Sequence, residues 1–339
     1  MANYLVTGVA GFIASRVSEF LLDARHSVTG IDNLNDAYDI AMKEKRLAKL
    51  QKRQGFEFVK LDIGSRDQIE SWLGGSLDPK KSTDPFSSPP AYDAVINLAA
   101  RAGVRTSVEN PWVYIDTNVT GTLNLLELCH QRGIPKFVLA STSSIYGADA
   151  PLPTPETVDS STPLQAYAAS KKGAEVLAYA YHHLYDIDVS VVRFFTVYGP
   201  AGRPDMSVFR FIRWIIEGEP LHLNGDGTQS RGFTYIDDIA GGVIQSLKPV
   251  GFEIINLGGH ETITMNDLIA LIERKVGRKA EVIYHPFHSA DMKANQADVS
   301  KARKLLGWKP NIGLDEGIAR SIAWYNENRD WASKIEINV

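Results

Sequence analysis

Short apolar, β-branched runs alternate with helical patterns along the first two thirds of the chain. This alternation predicts parallel strands joined by crossover helices, with a helix at Ala14 to Ala24 between the first two strands. The predicted fold class is therefore α/β, a Rossmann-type doubly wound parallel sheet. The predicted strands are residues 4–6, 27–31, 56–61, 94–98, 136–140 and 189–193.

The last third of the chain has a looser pattern with Pro/Gly-rich loops. Residues 253–257 form a late apolar run that could rejoin the sheet. We expect a Rossmann domain at 1–197, to which about 231–258 returns, and a smaller, irregular α/β lobe at 198–230 and 259–339. Helices are predicted at 208–217, 265–276, 301–306 and 314–328.

One segment, Gly74 to Tyr92, is rich in Ser, Pro, Lys and Asp and has no period. Such composition predicts an exposed loop between a helix and a strand. A Pro-rich docking segment is the alternative interpretation.

Composition limits the possible partners and the setting. The 339 residues are 44% hydrophobic and carry a net charge of -4, which predicts a globular protein whose main partner is neither nucleic acid nor an anionic membrane. The single cysteine, Cys129, lies in an apolar helical run and is expected to be a buried thiol. With no basic leader and no apolar stretch near the roughly 18 residues of a membrane span, we expect a cytoplasmic protein. We expect no bound metal.

A glycine turn follows the first predicted strand and opens a helix. Gly8 and Gly11 allow a tight turn, and Ala14 occupies the third small position of a dinucleotide fingerprint. A pyrophosphate would lie at that helix N-terminus, although such glycines can also serve turn geometry alone. Further cofactor contacts are predicted at Phe12, Ile13, Asn33, Asp62, Ile63, Leu98, Ala99 and Ala100.

The nucleotide preference is predicted by Asp32, at the end of the second strand. A carboxylate there hydrogen-bonds the adenosine ribose hydroxyls and repels a 2'-phosphate, so NAD is favoured over NADP. A turn-forming role for Asp32 is the alternative.

Tyr167 and Lys171 are four residues apart and therefore share one helical face. A nearby ammonium favours the phenolate, so we expect Lys171 to lower the pKa of Tyr167. The run Ser141 to Ser144 ends the fifth strand, at the sheet edge where such folds bind ligands. Its hydroxyls could bridge a substrate oxygen and the phenol, or they could be ordinary loop residues.

Together these segments resemble the extended short-chain dehydrogenase/reductase family, and within it the nucleotide-sugar epimerases. The resemblance covers nearly the whole chain. Gly202 to Met206 resembles most the segment found in UDP-glucuronate 4-epimerases. The other segments that carry it are Asp32–Asn35, Asn97–Ala100, Ala102–Arg105, Thr117–Val119 and Arg193–Pro200.

The resemblance implies roles for individual residues. Tyr167 is then the general base and acid and also a cofactor contact, Lys171 also binds the nicotinamide ribose, Thr142 hydrogen-bonds the sugar O4, and Asn118 supports the cofactor pocket. It further implies a homodimer through helices near Gly121–Cys129 and Ala169–Tyr185. Nucleotide, pyrophosphate or sugar contacts are implied for Arg105, Thr196, Met206, Arg231 and Asp291, with Arg231 the best phosphate ligand.

The sequence departs from the family pattern in three places, one of which is the long Gly74 to Tyr92 insertion, in a connection that need not touch the site. Arg101 stands where relatives commonly carry glutamine or histidine, and His288–Asp291 replaces a more usual Gln-Pro-Gly-Asp or Arg-Glu-Gly-Asp run. The sequence therefore does not decide whether residues near His288 contact the pyrophosphate.

Four activities share this scaffold: epimerisation, decarboxylation, 4,6-dehydration and net reduction. Related dehydratases place Asp-Glu after the catalytic hydroxyl and related decarboxylases place a glutamate second, whereas this chain has Ser143 and Ser144. Without a carboxylate for chemistry at C5, simple hydride return to the opposite face of C4 is favoured. The expected reaction converts UDP-glucuronate to UDP-galacturonate with NAD.

Several alternatives remain at this point. UDP-glucose/UDP-galactose epimerisation is the closest, followed by a UDP-glucuronate decarboxylase or an NAD-dependent dehydrogenase. A dinucleotide-sensing regulatory protein is the non-enzymatic alternative.

A uronate substrate also has to be protected, because its 4-keto form is a β-keto acid that can lose carbon dioxide. Holding the carboxylate near the carbonyl plane keeps the breaking bond out of alignment with the π system. The hypothesis is that this clamp consists of Ser143, Ser144, Thr196 and Arg203.

Overall fold

A computed structural model describes residues 1–77, 92–287 and 292–337. At its centre is a seven-stranded sheet in which every neighbouring pair is parallel, in the order β10-β6-β5-β4-β1-β2-β3. The strands are β1 (Asn3–Thr7), β2 (Ser27–Asp32), β3 (Phe56–Lys60), β4 (Ala94–Asn97), β5 (Lys136–Thr142), β6 (Asp188–Phe194), β7 (Thr196–Tyr198), β8 (Leu221–Asn224), β9 (Ser230–Tyr235), β10 (Phe252–Leu257), β11 (Glu261–Thr264) and β12 (Val282–His285).

The sheet confirms the predicted doubly wound fold class. Successive strands run outward from β1 to β3 on one side and from β4 to β6 on the other, so the strand order reverses between β1 and β4. The carboxyl ends of the strands on either side of this reversal form the crevice in which such sheets bind ligands. The late strand β10 pairs with β6, as the apolar run at 253–257 predicted.

Helices cover both faces of the sheet. Buried side chains of α1 and α9 pack on one face, and those of α6 and α7 pack on the other. The helices are α1 (Phe12–Asp23), α2 (Ile40–Leu50), α3 (Arg66–Leu73), α4 (Thr106–Glu109), α5 (Trp112–Tyr114), α6 (Gly121–Arg132), α7 (Ala166–Tyr185), α8 (Ser207–Glu217), α9 (Ile236–Gln245), α10 (Met265–Val276), α11 (Ser300–Leu306), α12 (Leu314–Glu327) and α13 (Arg329–Ala332).

Two small sheets lie outside the seven-stranded sheet, and the sequence pattern did not reveal them. Strands β7, β9 and β11 form one, and β8 pairs with β12 in the other. Their strands are only three to six residues long, too short to show a clear period among loops rich in Gly and Pro. A third apolar core joins α8, α10 and α12 to them.

The remaining fold predictions have mixed outcomes. Cys129 is buried in α6, as expected, and burial raises its thiol pKa. Most of the predicted loop from Gly74 to Tyr92 lies outside the described residues; Gly74 itself ends α3 in a left-handed conformation. None of the helices in the described ranges has the length and apolar character needed to cross a membrane.

Candidate active site

The glycine turn between β1 and α1 is as tight as its sequence predicts. Gly8 has φ +69°, and a Cβ there would lie 2.7 Å from the Ala99 Cα atom. The Gly11 N–H donates to the Gly8 carbonyl at 2.7 Å, and no side chain caps α1. Phe12 and Ile13 form the first turn of that helix. The turn therefore presents backbone N–H groups at a helix N-terminus, the arrangement that binds a pyrophosphate.

Asp32 ends β2 beside this turn and is buried. One carboxylate oxygen accepts from the Ala10 N–H at 3.0 Å and the other from the Leu34 N–H at 2.8 Å. These contacts support the turn-forming interpretation and also hold the carboxylate at the carboxyl end of the strand, where the ribose contact was predicted. The ribose contact itself stays a prediction.

The other predicted cofactor residues lie at neighbouring strand ends. Asn33 donates to the Asp62 carboxylate at 2.9 Å, and the other Asp62 oxygen accepts from the Gly64 N–H at 2.8 Å, next to the buried Ile63. The Ala99 N–H, between Leu98 and Ala100, donates to the Thr7 hydroxyl at 3.1 Å. Because β3, β2, β1 and β4 are adjacent, these residues form one continuous edge.

Asn118 connects this edge to α7. Its amide oxygen accepts from the Arg101 N–H at 2.9 Å, while its NH2 group donates to the Arg101 carbonyl at 3.0 Å and to the Ser170 hydroxyl at 2.9 Å. Asn118 lies in a π-helical segment, Ile115–Thr120, a local distortion that is frequent at functional sites. Its side chain thus fixes the loop after β4 against the helix that carries Tyr167.

Thr142, Tyr167 and Lys171 are brought together at the carboxyl end of β5. Thr142 is the last residue of that strand; its hydroxyl accepts from the Ser144 N–H at 3.2 Å and lies close enough to the Tyr167 phenol to lower the phenol pKa. Lys171, one turn further along α7, is buried and donates to the Ala140 carbonyl at 2.9 Å. The three residues predicted for catalysis therefore share one site.

The electrostatics differ from the sequence-based expectation. Burial raises the Tyr167 pKa above its ordinary value, and the groups that lower it are the Thr142 hydroxyl and the positive charge of Arg203. Lys171 is itself so buried that its pKa is lowered to about 8, although Glu175 favours its charged form. In this structure Arg203, rather than Lys171, is the cation that favours the phenolate.

A buried ion pair behind the site was missed at the sequence level. Glu175 and Arg193 are almost fully buried and joined by two hydrogen bonds of 2.9 and 2.7 Å, and Ser141 donates to Glu175 at 2.6 Å. The pair locks α7 to β6 and to the residue before Thr142. The sequence does not show that Glu175 and Arg193 pair, because they are 18 residues apart and lie on different elements.

The predicted substrate residues fall into two groups. Thr196, Arg203 and Met206 line one cavity with mostly apolar walls, between β7, α8 and α12. Ser143 and Ser144 follow Thr142 in a 3₁₀ turn, and Ser143 is buried. The proposed carboxylate clamp therefore draws on separate segments: Thr196 in β7 and Arg203 in the loop after it line the cavity, whereas Ser143 and Ser144 follow β5 and are not among its lining residues.

Two further arginines bind groups within the protein. The Asn224 amide, turned so that its oxygen faces Arg105, accepts from both terminal guanidinium nitrogens at 2.9 Å. Arg231, on β9, donates to the Ser230 carbonyl at 2.8 Å. Asp291 and the departure at His288 lie outside the described residues. Arg101, which also departs from the family pattern, approaches Asp36 at 3.7 Å.

No metal centre is formed within residues 1–77, 92–287 and 292–337, where no three His, Cys, Asp or Glu side chains converge. The glycine turn, Asp32 and the small residues Ala99 and Ala100 fit a dinucleotide instead. Close backbone approach is required at Gly8, and a carboxylate ends the next strand.

Comparison with known proteins identifies the family. Residues 4–258 match the model of the NAD dependent epimerase/dehydratase family. The chain is 55% identical to a UDP-glucuronate 4-epimerase of Thermodesulfobacterium geofontis, over 99% of this chain and 100% of the relative. It is 36% identical to a probable UDP-glucuronate 4-epimerase of Rhizobium meliloti, over 96% and 97% of the two chains.

Solved structures of related epimerases indicate the same family. The UDP-glucuronic acid 4-epimerase of Bacillus cereus, in complex with UDP-glucuronic acid and NAD, superposes with a TM-score of 0.86 at 33% identity, covering 96% of this chain and 99% of that one. The UDP-glucose 4-epimerase of Thermotoga maritima, with UDP-glucose, gives 0.85 at 28% identity, covering 96% and 99%. The chain therefore belongs to the NAD dependent epimerase/dehydratase family, as the sequence motifs predicted.

Proposed function

We propose that this protein is an NAD-dependent C4 epimerase that interconverts UDP-glucuronate and UDP-galacturonate. The observation that carries the proposal is the closeness of the Thr142 hydroxyl to the Tyr167 phenol, whose pKa it lowers, together with Ser143 and Ser144 rather than carboxylates directly after Thr142. This site has a base for the sugar 4-OH and no carboxylate at those two positions to act on C5. The similarity to named UDP-glucuronate 4-epimerases supports the same substrate.

The mechanism follows from the roles that these side chains can take. The glycine turn, Asp32 and Lys171 would hold NAD, which would supply a reversible hydride acceptor for C4, so that the reaction would involve no net oxidation. Tyr167 takes the 4-OH proton as the carbonyl forms and gives it back as the new alcohol forms. Thr142 keeps O4 within hydrogen-bonding distance of the phenol in both directions.

Arg203 has two tasks in this proposal. Its charge favours the Tyr167 phenolate, and with Thr196 it lines the cavity in which the uronate carboxylate would be held. In this structure the Arg203 guanidinium donates to the two Asp205 carboxylate oxygens, at 3.0 and 2.5 Å. A carboxylate fixed near the carbonyl plane resists decarboxylation, so the clamp protects the 4-keto intermediate.

Replacing Arg203 tests the clamp. Arg203→Met should raise the KM for UDP-glucuronate by about tenfold or more, with a smaller rise for UDP-glucose, because only the uronate carries the carboxylate. Arg329→Met, which removes an exposed arginine paired with Glu217, is the matched control. Equal losses for the two sugars would remove Arg203 from the clamp.

The Asp205 pairing also supports a second candidate. Because Arg203 already has an internal counterion, a neutral hexose would leave that pair intact, which favours UDP-glucose/UDP-galactose epimerisation. Assays of the wild-type protein with both sugars decide between them. Absorbance at 340 nm during turnover excludes a net dehydrogenase if no NADH accumulates.

The proposal includes a cytoplasmic homodimer and the division of the chain into a Rossmann domain and a sugar-binding lobe near residue 197. The α7 helix exposes Val176, Tyr179 and Leu184, which are 58%, 55% and 64% accessible, beside α6. An apolar face of this kind is suited to a second copy of the chain. Val176→Glu should convert a dimer to a monomer in light scattering; an unchanged mass would place the interface elsewhere.

A further inference from the structure

Arg46, on α2, contacts both halves of the site through one guanidinium. It is only 5% exposed. One terminal nitrogen donates to the Ala10 carbonyl in the glycine turn at 3.2 Å. The other terminal nitrogen donates to the carbonyls of Ala201 at 2.7 Å and Gly202 at 3.2 Å, in the loop after β7, and Nε donates to Ala201 at 3.1 Å. A single side chain thus connects the cofactor turn to the loop that carries Arg203.

That loop has a backbone conformation that needs support. Ala201 has φ +54°, the left-handed region that residues with a Cβ rarely adopt. The Gly202 N–H closes the turn onto the Gly199 carbonyl at 3.1 Å. Because the Ala201 carbonyl receives two N–H groups from Arg46, the guanidinium stabilises the conformation that places Arg203 near Tyr167.

The guanidinium is in turn held by aromatic groups. The terminal nitrogen that binds Ala10 also donates to the Tyr38 hydroxyl at 2.7 Å. The rings of Tyr38 and Phe12 lie with their centroids 5.6 and 5.8 Å from the guanidinium carbon. Only a planar group with several donors in fixed directions can reach all four acceptors at once, so lysine is no substitute.

We propose that Arg46 is a positioning residue that couples the cofactor turn to the substrate loop, so that NAD retention and nucleotide-sugar binding depend on the same side chain. The cofactor half of this inference rests on the family, and the substrate half rests on the proposed function. Arg46 touches neither reacting group in this account. It acts through Ala10 on one side and through Ala201 and Gly202 on the other.

The test is Arg46→Lys in the full-length holoenzyme. The variant keeps the positive charge and replaces the fork with a single nitrogen. We expect NAD retained after gel filtration to fall to less than about half of the wild-type amount, and the KM for UDP-glucuronate to rise about tenfold, while kcat changes by less than about threefold. Arg53→Lys is the matched control, since Arg53 is an exposed arginine paired with Asp23, and it should change neither quantity.

A second variant keeps the proposal falsifiable if Arg46→Lys folds poorly. Tyr38→Phe leaves the guanidinium in place but removes one of its acceptors, and it should shift NAD retention and KM in the same direction by about twofold to threefold. The result is taken from whichever of the two variants keeps the wild-type melting temperature. If NAD retention or KM changes alone in that variant, or if neither changes, the coupling is overturned.

The wild-type protein separates this inference from the proposed function. If it fails to epimerise UDP-glucuronate, the proposed function is wrong. Calorimetric binding of UDP-glucuronate, measured together with NAD retention in the same variants, then decides the role of Arg46. Parallel losses in both would support the coupling, and a loss in one alone would overturn it.

Discussion

The two sides of the active site are held together in different ways. On the cofactor side, the contacts involve backbone groups: Gly8 packs against Ala99, and Asp32 accepts from two N–H groups. On the substrate side, long side chains reach across loops, as Arg105 does to Asn224. The cofactor side is therefore built from backbone at the ends of adjacent strands, whereas the substrate side depends on side chains that join separate loops.

This difference predicts how the two sides respond to mutation. A change in a backbone contact should affect cofactor binding, and removal of a hydroxyl that serves the chemistry, as at Tyr167, should affect turnover while NAD stays bound. Arg46 is the exception, because it contacts backbone carbonyls on both sides.

The largest expected effect comes from removing the Tyr167 hydroxyl. Tyr167→Phe should lower kcat by about a thousandfold, because the general base is lost, while bound NAD remains at the wild-type level. Steady-state rates and the NAD content of the purified protein measure this. Tyr185→Phe, at the exposed end of α7, is the control. Loss of NAD together with activity would contradict the separation of the two sides.

The next effect concerns close backbone approach. Gly8→Ala should abolish most NAD binding, because the new Cβ would lie 2.7 Å from Ala99. Gly74→Ala is a matched control: Gly74 is also left-handed, at φ +63°, but its Cβ would meet nothing within 4 Å. The control should lose only about 1 kcal/mol of stability through backbone strain and keep its NAD. If both variants retain NAD, the tight turn is not required for the cofactor.

The smallest effect is a pH dependence of stability. Burial lowers the Lys171 pKa to about 8, from an ordinary 10.5. Between pH 8 and 10.5 the Lys171 side chain keeps its proton in the unfolded chain but has lost it in the folded chain. The contribution of this group to the free energy of unfolding therefore rises with pH in that window, by about 1–3 kcal/mol. Lys171→Met should lack the rise.

Urea unfolding at pH 7, 8, 9 and 10 gives the free energy of unfolding of the wild-type protein and of Lys171→Met. The contributions of the other titrating groups cancel in the difference between the two proteins. Lys172→Met, which removes a less buried neighbour, should follow the wild-type curve. Parallel curves for the wild-type protein and Lys171→Met would mean that Lys171 is not desolvated.

The sheet was predictable because each strand carries its own apolar run, and the parallel order follows from the crossover helices. The glycine turn, Asp32 and the triad of Thr142, Tyr167 and Lys171 were found at strand and helix ends because local sequence determines those positions. These residues lie at one edge of the sheet, as a doubly wound fold requires.

Other features depend on contacts between distant segments. Arg46 lies on a helix with Lys43, Lys45 and Lys49, so its sequence resembles a solvent-facing surface, yet it is buried against a loop about 155 residues away. The Tyr167 pKa depends on burial and on Arg203, neither of which the Tyr-Lys spacing reveals. Such features follow from loop packing, which a hydrophobic pattern does not encode.

The central claim is that the chemistry is confined to C4. Its most direct test is turnover of UDP-glucuronate carrying deuterium at C4, followed by NMR of the product and measurement of carbon dioxide. The account predicts UDP-galacturonate that keeps the deuterium at C4, no solvent exchange at C5 and no carbon dioxide. Release of carbon dioxide, exchange at C5 or loss of the label would contradict it.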